Sequence, residues 1–579
     1  MIDEQDLEER THEEDVEGSE DSSDNDSSED DSEDSDDDSD DDSDDDEDDD
    51  SDEDSDDDDS DDDDSDEGDG QRRDVEKGNS ETEKLSKDVT RKGGKYKKRV
   101  AKMHEMQRKN PKNLRIFALQ NFAVPFTYLV IGLNQGFLLP IINDFPQDLG
   151  ATSSQLASIQ NVFYLPVYLK IFLAFLSDVK PIRGYRRKPY IAIGWFIAIF
   201  FVIVLNIFSD ASHKPGEAPA ARSPSVAFLS TVLFFYGLGT AMVNVCIDGI
   251  VVEKFMLEAG DQKGRFLALC LAFKFLGLWI SVPAGTAVYD SSGSGIIFFW
   301  LAFFPLMSLP FLWKLFEDSK VVGEVHPTGR TQMMNIWETF SSKSIYQTMG
   351  CICFYLVHQV RNTSINDYML FQGLTAYDIN VTTILAILSM LFGILVYKQF
   401  MMRRSWKYIL LRTTGATVVI SLSHLIVNGW TGFAIVVRML TGFVDAFELL
   451  PIALIMATLS LKGSEATTYA IFATIANFGV VTSTSISVAL QAAFNISEET
   501  LRDGTAGSVT GLIIVTTILP IFGVIGIKYM PESAEVIESW RETKSLVLGL
   551  VLLGIATMSI FYAILVGFME VLVYNVAVS

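Results

Sequence analysis

Apolar residues in this chain neither alternate nor recur at helical spacing; they run on in blocks of about 20, divided by short polar stretches. A block of that length with few charges matches a helix crossing the hydrocarbon core of a bilayer. Candidate spans cover 117–142, 154–177, 189–208, 226–252, 265–289, 294–314, 344–361, 379–400, 407–427, 431–460, 466–494 and 507–529. A thirteenth block, 545–574, has no charge between Ser545 and Phe568 and is expected to cross as well. The longest interruption, 315–343, separates the sixth block from the seventh. This layout predicts an all-α integral membrane fold. Two packed six-helix halves, 117–314 and 344–529, flank a central loop, with 530–579 as linker and extra span.

Charge changes the picture at the N-terminal end. The 579 residues carry a formal net charge of −33, yet residues 1–70 hold 45 acidic side chains against one basic one, Arg10. Without that tail the chain is mildly basic. From Ser19 to Asp69 it is almost wholly Asp, Ser and Glu, with nothing to bury, so an expanded, disordered tail is expected. Its partner is left open; Ser35, Ser39 and Ser55 suit acidophilic kinases. Across 71–116 the sign reverses, with Arg91, Lys92, Lys95, Lys97, Lys98 and Arg99 close together. Lying beside the first span, this segment reads as a patch for anionic lipid and not for nucleic acid.

Loop charges orient the bundle. With the N-terminus in the cytosol, the loops on that side carry Lys180, Arg183, Arg186, Arg187, Lys188, Lys254, Lys263, Arg265, Lys320, Arg330, Lys343, Arg403, Arg404 and Lys462. The opposite loops carry only Lys214, Arg222, Arg361 and Arg502, which is the positive-inside asymmetry. Asn362 and Asn495 head glycosylation sequons on that opposite side; a third, at Asn380, lies close to the bilayer. The choice of membrane is open.

Ionisable residues deep in a span cost about 2.5–3.5 kcal/mol each, so they face a cavity and have partners. In the tenth block, Arg438 and Asp445 lie two turns apart on one face, with Glu448 a turn further on. An Arg438–Asp445 pair is expected, leaving a surplus carboxylate for a proton or substrate. Lys170 and Lys274 lie deep in the second and fifth blocks, and Asn244 and Asp248 share a face of the fourth. Gln135, beside Asn134, and Asn477 are weaker polar candidates, equally suited to joining helices. His358 and His424 lie near span ends and are read as structural. Cys246, Cys270, Cys351 and Cys353 all fall in apolar blocks, which disfavours disulfides and zinc. No metal-ligand spacing, phosphate loop or nucleophile elbow occurs, so neither an enzyme nor a cofactor is expected.

The loop after the second block carries the most specific signal. Pro166-Val-Tyr-Leu-Lys170 is followed by Ser177-Asp178, then Pro181-Ile182-Arg183-Gly184-Tyr185-Arg186-Arg187-Lys188-Pro189-Tyr190. An acid closing one helix, a Gly turn and a basic cluster opening the next make a latch of Asp178 with Arg186 and Arg187. This string resembles the folate–biopterin transporter (BT1-type) family of the major facilitator superfamily. Asp248-Gly-Ile-Val-Val-Glu253-Lys254 is similar to that family's second signature. The string departs at Val167 and Ile171, where the family has an aromatic and a Pro, and at Val243-Asn244, where it has Ala-Asp. The resemblance implies proton-coupled, alternating-access movement of folates, pterins or a related metabolite. Other solutes of the same fold, such as S-adenosylmethionine, an amino acid or a sugar, stay open, as does a channel or a non-transporting receptor.

Overall fold

The computed structural model describes residues 119–209, 225–258, 263–315, 329–426, 430–505 and 507–578. The expected acidic tail at 1–70 and basic segment at 71–116 lie outside the described residues, as do Lys214, Arg222 and Lys320. The first six long helices are α1 (Leu119–Asn143), α2 (Ser153–Val179), α3 (Lys188–Phe208), α4 (Val226–Leu257), α5 (Arg265–Ser292) and α6 (Ser294–Lys314). A shorter helix, α7 (Gly329–Phe340), precedes α8 (Lys343–His358), α9 (Ala376–Val396), α10 (Trp406–Ser423) and α11 (Thr431–Leu459). Then come α12 (Glu465–Ala493), α13 (Val509–Tyr529) and α14 (Leu546–Val578).

Among the described residues, 11 helices are long and apolar enough to cross a membrane. Two of the thirteen expected spans are not among them. The seventh block forms only the 16-residue helix α8, which ends at His358, so Gln359–Arg361 leave the helix. The thirteenth block forms α14, a continuous helix of 33 residues. The short helix α7 lies inside the expected central loop at 315–343. That helix buries Gln332, Ile336 and Phe340 along one stripe and leaves Met333 and Met334 exposed.

Helix pairing repeats along the chain. In the first half α1 packs on α5 and α6, α2 on α4, and α3 on α4 and α6. Shifted by six spans, α8 packs on α12 and α13, α9 on α11, and α10 on α11 and α13. Close backbone approach requires glycine where a side chain has no room. A Cβ on Gly132 of α1 would lie 2.0 Å from the Lys274 carbonyl of α5, and one on Gly442 of α11 would lie 2.2 Å from the Ala386 carbonyl of α9. The two halves meet where α2 and α4 pack on α12 and where α5 packs on α9. α14 lies against α2 of the first half and α12 of the second.

Candidate transport pathway and its charge clusters

The link between α2 and α3 is a tight turn. Ile182 and Tyr185 exchange backbone hydrogen bonds around Arg183 (φ 51°) and Gly184 (φ 82°). Two left-handed residues in succession make the mirror-type hairpin turn, which tolerates Arg183 only with strain and suits Gly184. The turn delivers Arg186 and Arg187 to the end of α4 and to the loop between α11 and α12. Arg187 is fully buried, with its guanidinium among three carboxylates. Asp178 lies at 3.3 Å, Glu465 at 2.8 Å, and Glu253 pairs with the other terminal nitrogen. Arg186 lies 3.7 Å from Glu465 and donates to the Gly463 carbonyl. The second oxygen of Asp178 accepts from the Thr467 backbone N–H (2.9 Å) and hydroxyl (2.8 Å). The expected latch residues therefore bond across the junction of the two halves. The sequence did not point to Glu253, Glu465 and Thr467 as their partners.

A second cluster lies deeper, at the same junction. Tyr128 of α1 donates its hydroxyl hydrogen to Asp248 of α4. Lys170 on α2 and Lys274 on α5 are within electrostatic reach of that carboxylate, and Tyr469 of α12 approaches it from the second half. Two ammonium groups and one carboxylate leave the cluster at about +1, the sign that receives an anion. Asn244 donates to its own helix at the Thr240 carbonyl (2.9 Å). Asn134 is buried and accepts from the Tyr236 hydroxyl (3.3 Å), whereas Gln135 is exposed and Asn477 half-buried, outside both clusters.

The third cluster is confined to the second half and corrects the expected pairing. Arg438 does not pair with Asp445; it donates to the Asn366 side chain at 2.9 Å. Helical side chains lean toward the helix N-terminus, so Arg438 leans away from Asp445, which lies two turns after it. The cation that meets the acids is Arg361, 2.7 Å from Asp445 and 3.0 Å from Glu448. Counting Arg361 as a loop charge concealed it. The early end of α8 frees the chain to carry this guanidinium back onto α11. Arg361, Arg438, Asp445, Asn362 and His424 line a cavity of about 280 Å³. Asn362 accepts from the Ser364 N–H, and its own amide nitrogen is shut off from solvent; Asn495 is exposed.

The sequence pattern of the BT1 family matches residues 136–546, which take in the latch, the Arg361 cluster and the Asp248 cluster apart from Tyr128. The chain belongs to the BT1 family. Among its relatives is the folate-biopterin transporter of Synechocystis sp., 22% identical over 417 residues, covering 69% of this chain and 79% of that protein. Folate transporter 1 of Plasmodium falciparum is 22% identical, over 62% of this chain and 69% of its own length. Folate transporter 2 of the same organism is 23% identical, over 62% and 79% respectively. Membership makes this protein a multi-pass membrane transporter and not an enzyme.

Proposed function

We propose that the protein is a secondary transporter moving folates, pterins or a closely related anionic metabolite by alternating access. The observation that carries this reading is the net-positive Asp248–Lys170–Lys274 cluster, set where the two halves meet and closed off at one end by the Arg187–Glu465 latch. A folate carboxylate suits Lys170 and Lys274. The amino–amide edge of a pteridine suits Asp248. Relatives named for folate and biopterin support the same class of solute.

Arg361 bridges Asp445 and Glu448, and a carboxylate pair sharing one cation in the second half suits proton coupling. Basic loops at the latch end favour a cytosolic latch and a cytosolic N-terminus, with anionic lipid against the basic segment before α1. Labelled folate and biopterin uptake, in transport-deficient cells with and without an imposed pH gradient, tests the reading. Saturable uptake that weakens when the gradient collapses is expected. Uptake unchanged in Lys170→Ala and Lys274→Ala at equal surface expression would sink the assignment. Competition by S-adenosylmethionine, an amino acid or a sugar, without competition by pterins, would reassign the cargo.

A further inference from the structure

At the latch end, beside the Arg187 network, a separate cavity of about 570 Å³ opens between the two halves. The first half contributes Phe255, Met256 and Lys263, the second contributes the end of α11 and the start of α8, and α7 and the segment between α13 and α14 complete the wall. Four cations line it: Lys263, Lys462, Arg541 and Lys544. Arg541 is held 2.8 Å from Glu538, and Lys544 pairs with Glu338. Lys263 rests over the Phe255 ring at 5.2 Å, and neither it nor Lys462 has a carboxylate within ion-pair distance among the described residues. With both acids counted, about two positive charges remain. Ser342 and Ser344 lie at the start of α8, bonded to each other at 2.8 Å and, through Ser342, to the Arg541 carbonyl, and the N-terminal dipole of α8 also favours an anion.

We propose that this cavity binds a compact, phosphate-bearing polyanion, and that its occupant clamps the two halves together at the latch end. Lys462 immediately precedes Gly463, which accepts from Arg186, and lies three residues before Glu465, which meets Arg187. Lys263 belongs to the other half. A ligand bridging these two lysines ties the same loop that closes the latch. Cations converging on a small volume suit a tetrahedral oxyanion. An extended acidic peptide spaces its charges about 3.3 Å per residue along a line and places few of them in such a space. The phosphate can come from a soluble polyphosphate or from a lipid headgroup at the membrane surface. The site does not depend on which solute is transported.

The test is thermal unfolding of the purified full chain with inositol hexakisphosphate in one arm. The other arm uses phosphatidylcholine micelles with and without phosphatidylinositol bisphosphate. Stabilisation by roughly 3–5 °C at saturation is expected in at least one arm. In a Lys263→Gln/Lys462→Gln variant, which changes only exposed side chains, the half-saturating concentration should rise at least tenfold. Response to the soluble probe alone identifies a metabolite, and response to the lipid alone identifies a headgroup. No stabilisation in either arm, or equal stabilisation of the variant, overturns the proposal. Polyaspartate acting as strongly, with the same dependence on the two lysines, overturns it in favour of an acidic peptide.

Discussion

Arg187 and Glu465 stand 278 residues apart in the chain and 2.8 Å apart in the fold. Arg187 belongs to the first half and Glu465 to the second, and Asp178 and Glu253 hold the same guanidinium from the first half. This division lets one substitution loosen the junction without stripping the arginine of partners.

Glu465→Gln removes the second half's charge on Arg187 while the first half keeps its own pairs. A shift of about 1.4 kcal/mol toward the open latch is a tenfold change in its population. The reaction rate of a cysteine placed at Ala470 should rise about tenfold toward a thiol reagent added from the latch end. An unchanged rate would mean the pair does not hold that end closed.

Arg361 and Arg438 look alike in sequence but should differ in stability effect. Arg361→Ala leaves Asp445 and Glu448 facing each other, at a cost of about 2–3 kcal/mol, reduced because the arginine is partly exposed. Arg438→Ala loses one charge-assisted bond to a neutral amide, worth about 1.5 kcal/mol. Thermal unfolding should rank the variants in that order, with Asp445→Asn partly rescuing Arg361→Ala. Equal losses would refute the pairing.

Gly132→Val should destabilise strongly, because its Cβ would lie 2.0 Å from the Lys274 carbonyl, and backbone cannot yield cheaply. Gly350→Ala is the control. Nothing lies within 4 Å of its Cβ position, so a neutral or slightly stabilising change is expected. Melting temperature and uptake should fall together for the first variant and stay level for the second.

Glu258 caps the link between α4 and α5 by accepting from the Gly264 and Phe266 N–H groups. Burial pushes its carboxyl up from the usual 4.5 to about 7, against those hydrogen bonds and the pull of Arg265 and Lys263; Lys398 also faces it. A carboxyl raised on folding favours the folded state most at low pH, and that advantage is lost as pH rises from about 4.5 through 7. Stability should therefore decline across this window by at most about 3 kcal/mol. Glu258→Gln should flatten the decline in a melting-temperature profile. A profile identical to wild type would show that Glu258 does not titrate there.

Asn495 and Asn362 head equivalent sequons, but only Asn495 presents an exposed side chain; the Asn362 nitrogen is enclosed. Asn495→Gln should abolish any glycan-dependent gel shift, and Asn362→Gln should leave it intact. The reverse pattern would place Asn362 outside the cavity that it lines here.

The latch was legible because its parts are contiguous: Asp178, a turn Gly and two arginines lie within ten residues, and local geometry brings them together. The Arg361 site was not. Its acids lie on α11 and its cation at the end of another helix, in a position that counts as a loop charge. Asp248, Lys170 and Lys274 were each recognisable from depth in an apolar block. Tyr128 was not, because a tyrosine in a span looks like packing until its hydroxyl finds a carboxylate.

Sequence alone determined the membrane class, most of the spans and the ions that need partners. Apolar length and the cost of desolvating charge act residue by residue, without reference to the rest of the chain. Which ion meets which was decided only when helices packed. Partners hundreds of residues apart are set by side-chain lean, close backbone approach at glycine and the early end of α8. Arg187 thus closes on Glu465 across the halves, and Asp445 takes Arg361 instead of the arginine on its own helix.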